Sequence, residues 1–177
     1  MSDVSSTPTP VNPSRRDRLR DMARQIRDPR LSTGARASLR RGAPHDVARQ
    51  AAFFRILSEQ SLQYDQVDEL IAWATVAQCM AITGIPLAAG AESDGTVLAR
   101  AGLTESRFAR LLASHGEGMR DQMLLIARYL HSKDASVAWN EMGELILTDD
   151  RSDERANDIR LRLARDYYRA LLKQATS

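Results

Sequence analysis

The 177-residue chain has 25 Lys and Arg against 23 Asp and Glu, a net charge of +2, and is 43% hydrophobic and 27% charged. Those proportions are those of an ordinary soluble globular chain, one domain or two small ones. No apolar run reaches the ~18 residues of a membrane span, and the single cysteine, Cys79, excludes an intramolecular disulfide and fits a reducing cytoplasm.

Residues 1–14, "MSDVSSTPTPVNPS", lack the charged-then-apolar order of a signal peptide and are expected to form a disordered tail. From Ser14 to Asp28, Leu19, Met22 and Ile26 recur at spacings of three and four, which predicts an amphipathic helix ended by Asp28-Pro29. Ser32 can cap a short second helix carrying Ala35 and Leu39, with Gly42 as its stop. Pro44 opens a third helix, whose inner face is expected to hold Val47, Ala51, Phe54 and Leu57.

The stretch from about Asp65 to Thr83 is the most apolar. Val67, Leu70, Ile71, Ala74, Ala77, Cys79 and Met80 cover more than one stripe, which predicts a central buried helix. Gly84-Ile85-Pro86 stops it. The loop-rich run 87–95, "LAAGAESDG", is expected to link an N-terminal helical subdomain (15–86) to a C-terminal one (96–177). Thr96 to Ser114, "TVLARAGLTESRFARLLAS", has the outline of a helix-turn-helix, with a glycine turn and Thr104 as a helix start. A long helix follows from Glu117 to His131, with Met119, Met123, Ile126 and Leu130 inward. Another, around Val137 to Leu147, carries Trp139, Met142, Leu145 and Ile146. The last runs from about Glu154 to Lys173, with Ile159, Leu163, Tyr167, Ala170 and Leu171 on one face. No segment alternates with period two, so the expected fold is all-α, about eight to nine helices in two packed subdomains, with no sheet.

The chemistry-bearing residues are sparse. His45, His115 and His131 are scattered, and the His45-Asp46 dipeptide alone is not a metal site. The acids Asp149, Asp150, Asp153 and Glu154 gather at a helix start, where carboxylates complement the helix dipole and serve solubility. Cys79 reads as a small buried hydrophobe. Nothing in the sequence reads as catalytic, and no cofactor or metal is expected.

The arginines stand out. They outnumber lysines 23 to 2, and the charge alternates in blocks: +6 over 1–60, −4 over 61–100, +2 over 101–133 and −2 over 134–177. The planar guanidinium fork suits phosphate oxygens, and basic blocks beside acidic ones suit a chain that meets a polyanion on one side and proteins elsewhere. Arg107 and Arg110 share a helix face, while Phe108 and Leu111 turn inward. Arg40 and Arg41 end a helix, Arg55 lies in "FFRIL", and Arg128 projects from the long helix. Aromatic residues make up only 5% of the chain, so base stacking is not the expected mode.

Three blocks in this order and spacing carry a family resemblance: "LRRGAPHDVARQAAFFRILSE", "GTVLARAGLTESRFARLLASHGEGMRDQMLLIARYL", and "ASVAWNEMGELI" followed by "RLRLARDYYRALL". Together, over roughly Leu39 to Leu172, they resemble the CasB family, the small subunit of the type I-E CRISPR surveillance complex, Cascade. The resemblance implies a non-enzymatic helical subunit of a cytoplasmic ribonucleoprotein. Two copies would lie against the large subunit and the backbone subunits that hold the guide crRNA. Their basic surface would help hold the target and displaced DNA strands of the R-loop. Carried over by position, the nucleic-acid-binding residues are Arg41 with Arg40 beside it, Arg55, Arg107 and Arg128; helical geometry adds Arg110. Guide pairing supplies the sequence reading in such a complex, so sequence-blind backbone contacts suffice.

Two other readings compete. One is a free-standing helix-turn-helix regulator that enters a major groove with Glu105 to Arg110; it lacks Asn or Gln on the reading helix. The other is a helical adaptor with no nucleic-acid role. In either Cascade or adaptor form, the Gly102–Thr104 turn sets the angle between two packed helices rather than presenting a base reader.

Overall fold

The computed structural model describes residues 13–59, 66–86, 92–149 and 152–176. The expected tail over 1–14 falls outside these residues apart from Pro13 and Ser14, as does most of the expected linker, 87–91. Among the described residues there are ten helices and no strand: α1 (Arg15–Arg27), α2 (Thr33–Leu39), α3 (Pro44–Val47), α4 (Ala51–Ser58), α5 (Val67–Thr83), α6 (Asp94–Arg100), α7 (Glu105–Ala113), α8 (Gly116–Ser132), α9 (Glu141–Thr148) and α10 (Asp153–Ala175). None of them is long and apolar enough to cross a membrane.

Local chemistry sets most of the boundaries. Ser14 accepts the backbone N–H of Asp17 while the Asp17 carboxylate accepts the Ser14 N–H, a reciprocal cap that starts α1. Ser32, Ser93, Thr104 and Ser152 cap α2, α6, α7 and α10 through their hydroxyls. Helix α6 therefore begins at Asp94, inside the run expected to be linker.

Helix α5 is the centre of the molecule. Every residue from Ala72 to Thr83 is buried, and α5 packs on α1, α2 and α3 as well as on α8 and α9. Its first turn departs from expectation: Val67 is 73% exposed, and Leu70 and Ile71 are only half-buried. The expected third helix is two helices. The backbone extends at Gln50 (φ −85°, ψ 140°), and this interruption resets the helical phase. Phe53, Ile56 and Leu57 turn inward, whereas Ala51 and Phe54 face outward. A period carried straight through from Pro44 misassigns that face. The inner faces of α1, α8 and α10 are as expected, with Leu171 half-buried at the margin.

Ion pairs bind distant elements. The nearly buried Glu144 of α9 accepts from Arg16 of α1 at 3.0 Å and from Arg155 of α10 at 2.7 Å, with Arg162 at 3.7 Å. Burial raises its carboxyl, but the guanidiniums of Arg155 and Arg16 outweigh burial and hold it below the usual range. Asp149 serves the start of α8, not that of α10. It is buried, pairs with Arg160 of α10 and accepts the Gly116 N–H at 2.7 Å. Asp153 and Glu154 do sit exposed in the first turn of α10, and Asp150 lies outside the described residues.

Candidate nucleic-acid interface

The helix-turn-helix outline is real in shape. Helix α6 ends at Arg100, the chain turns through Gly102 at φ +77°, a value that favours glycine, and α7 starts at Thr104. Two tyrosines hold the turn: the Tyr129 hydroxyl of α8 donates to the Ala101 carbonyl at 2.8 Å, and the Tyr167 hydroxyl of α10 donates to the Leu103 carbonyl. Phe108 stacks on Tyr167, with ring centroids 3.9 Å apart and planes 15° from parallel. With Phe108 and Leu111 fully buried, α7 is clamped to α8 and α10 by its inner face. Its outer face shows Glu105, Ser106, Arg107, Ala109 and Arg110 to solvent.

Arg107 and Arg110 come together at a cleft of about 280 Å³ between α7 and α8, lined also by Leu103, Gln122, Leu125, Ile126 and Tyr129. The α8 residues in it are spaced as one helix face, i, i+3, i+4, i+7. The Arg107 guanidinium lies 5.5 Å from the centroid of the Tyr129 ring, and the Lys133 ammonium lies 5.7 Å from the same ring. No carboxylate among the described residues pairs with Arg107, Arg110 or Lys133. The aromatic partner that the sequence did not reveal is therefore Tyr129, 22 positions beyond Arg107. The signal that could have found it is the Tyr129–Lys133 spacing of four across the C-terminal end of α8.

The other four arginines lie apart from this cleft. Arg128 precedes Tyr129 but is rotated by about 100° around α8; it is exposed and does not line the cleft. Burial pushes the Cys79 thiol far above its ordinary range, with the charge of Arg128 pulling the other way, so that thiol is inert. Arg40 donates its Nε to the Ala81 carbonyl at 2.6 Å and so satisfies the C-terminal end of α5. Arg41 is exposed beside it. Arg55 lines a hollow of about 150 Å³ with Gln25, Asp28, Arg30, Leu31, Ile56 and Glu59. That hollow is of mixed charge. Its Asp28 is paired with Arg30 at 2.7 Å, which holds the Asp28 carboxyl at about 2.

Acid and histidine chemistry is absorbed locally. Asp46 accepts the Ala43 N–H at 3.1 Å and sits 3.3 Å from His45, so the dipeptide starts a helix. His115 stands 3.3 Å from the buried Asp149. Among the described residues no group of three or more His, Cys, Asp or Glu is placed to hold a metal ion.

The fold and this surface define an all-helical protein with an outward cationic cleft whose lining, among the described residues, holds no carboxylate. The family model for CRISPR-associated protein Cse2 matches residues 35–168, well over half of the chain. The chain belongs to that family, the CasB small subunits of type I-E Cascade. No curated protein and no solved structure matches it.

Proposed function

We propose that this protein is the non-catalytic small subunit of a cytoplasmic type I-E Cascade complex, and that it stabilises crRNA-guided target binding by holding the R-loop strands through sequence-independent backbone contacts. Its partners are the large subunit, the backbone subunits around the guide RNA, a second copy of itself, and the target and displaced DNA strands. The observation that carries the reading is the pair Arg107 and Arg110, both exposed, without a carboxylate partner among the described residues and held outward by the buried Phe108–Tyr167 stack. Arginines so placed suit phosphate oxygens. Arg41, Arg55 and Arg128 extend the contact along other faces, with Arg40 contributing what its bond to Ala81 leaves over.

The test is target-DNA binding by reconstituted Cascade carrying Arg107→Ala with Arg110→Ala. Binding should weaken by a similar factor for every target matched to its guide. The slope of log affinity against log salt should flatten by about 1.4–1.8, as expected for two lost phosphate contacts. Unchanged affinity and slope would place the strand contacts elsewhere. A preference for one duplex sequence in the free chain would favour a regulator instead.

A further inference from the structure

Phosphate contact alone does not account for the α7–α8 cleft. A phosphate clamp needs cations, yet this cleft has an apolar floor of Leu103, Leu125 and Ile126 and a Tyr129 ring at its side. Leu125 is 55% exposed, a large apolar side chain uncovered in a cleft that Arg107 and Arg110 also line. The Tyr129 ring is fixed in advance, because its hydroxyl is bonded to the Ala101 carbonyl. At about 280 Å³ the cleft sits just below the roughly 300–1,000 Å³ of small-molecule sites, which suits one flat ring system.

We propose that this cleft takes one unstacked base of a single DNA strand, against Leu125, Ile126 and Tyr129, with its flanking phosphates on Arg107, Arg110 and Lys133. An apolar and aromatic wall rimmed by cations is the means by which proteins hold splayed bases of single strands. Three cations that no carboxylate among the described residues pairs match a partner with repeating negative charge. Gln122, the one uncharged polar side chain without an aromatic ring in the cleft, can meet a base edge. A duplex must first unpair and unstack a base, at a cost in free energy, and should bind less tightly than a single strand. The inference rests on the reading that the α7 face meets nucleic acid.

The test measures binding of the full chain to an oligothymidylate strand, to an abasic strand of equal length and charge, and to a duplex. The thymidylate strand should bind about tenfold tighter than the abasic one. Leu125→Asp should erase that ratio, and because Leu125 is exposed the variant should keep its melting temperature; Leu125→Thr, a milder change, should shrink the ratio. Equal binding of the thymidylate and abasic strands, both weakened by Arg107→Ala with Arg110→Ala, overturns the base pocket while the phosphate clamp stands. No binding to either strand overturns both. A Leu125→Asp protein that keeps the ratio but no longer co-purifies with the other Cascade subunits would make the cleft a protein-docking site and overturn the proposal.

Discussion

Helices α6 and α10 pack closely, and Gly95 is where their backbones meet. A Cβ built at Gly95 would lie 2.4 Å from the Leu163 carbonyl oxygen, 3.0 Å from the Tyr167 nitrogen and 3.3 Å from the Asp166 Cβ. The obstacle is backbone, which no rotamer change can clear. Gly95→Ala therefore forces the two helices apart by about 1 Å and loosens Leu98 and Ala99 on the same short helix. Overpacking of this kind costs roughly 3 kcal/mol at the upper end of its usual range. The better helix propensity of alanine returns up to about 1 kcal/mol. The net loss of about 2 kcal/mol corresponds to a melting temperature lower by about 4–8 °C in a chain of this size. Gly118→Ala in α8 is the matched control, since a Cβ there meets nothing within 4 Å. It should hold or raise the melting temperature. Thermal unfolding followed by circular dichroism reads both. If Gly95→Ala melts at or above the parent temperature, the close approach of α6 and α10 is not what the geometry requires and the reasoning fails.

Two further predictions concern buried charge. Asp94 accepts the Met142 N–H at 2.8 Å, while Glu141 accepts the Asp94 N–H at 3.1 Å, so α6 and α9 cap each other with two neighbouring carboxylates. Burial first, and the Glu141 charge second, push the Asp94 carboxyl up to about 7. A raised acid favours the folded state when protonated. Its contribution is complete below about pH 4 and is lost as pH rises through about 7. Asp94→Asn keeps an acceptor for Met142 and removes the titration. Its stability relative to the parent should rise between pH 4 and pH 8, by at most about 4 kcal/mol; a pH-independent difference in denaturant unfolding would refute this. Arg160 and Asp149 are 9% and 1% exposed at their side chains. Arg160→Met strands a buried carboxylate and should cost about 3–5 kcal/mol, part of which Asp149→Asn in the same chain should restore. A double variant no more stable than the single one would show that the pair is not coupled.

What could be read from the sequence was what depends on near neighbours in the chain. Helix starts at Ser14, Ser32 and Thr104, the glycine turn at Gly102, and the inward stripes of α1, α8 and α10 follow from side chains three or four positions apart, and the structure has them. The same periodicity showed that Phe108 and Leu111 face the core, and hence that Arg107 and Arg110 face out. It failed where the backbone interrupted it, at Gln50, because a phase carried across an extended residue no longer describes the next helix.

Only the tertiary structure could divide the arginines by task. Arg16 and Glu144 are 128 positions apart, Arg40 and Ala81 are 41 apart, and nothing local in the sequence pairs them. A guanidinium reaches its partner wherever packing brings one, so several of the 23 arginines are spent inside the frame on Glu144, Asp149 and helix ends. The same packing sets Tyr129 and Lys133 beside Arg107 and makes a cleft of what, in the chain, is a pair of arginines on one helix and a tyrosine on the next. The chain by itself determined that α7 shows cations outward. The docking of α7 onto α8 decided that those cations surround an apolar wall, because only contact between the two helices creates that wall.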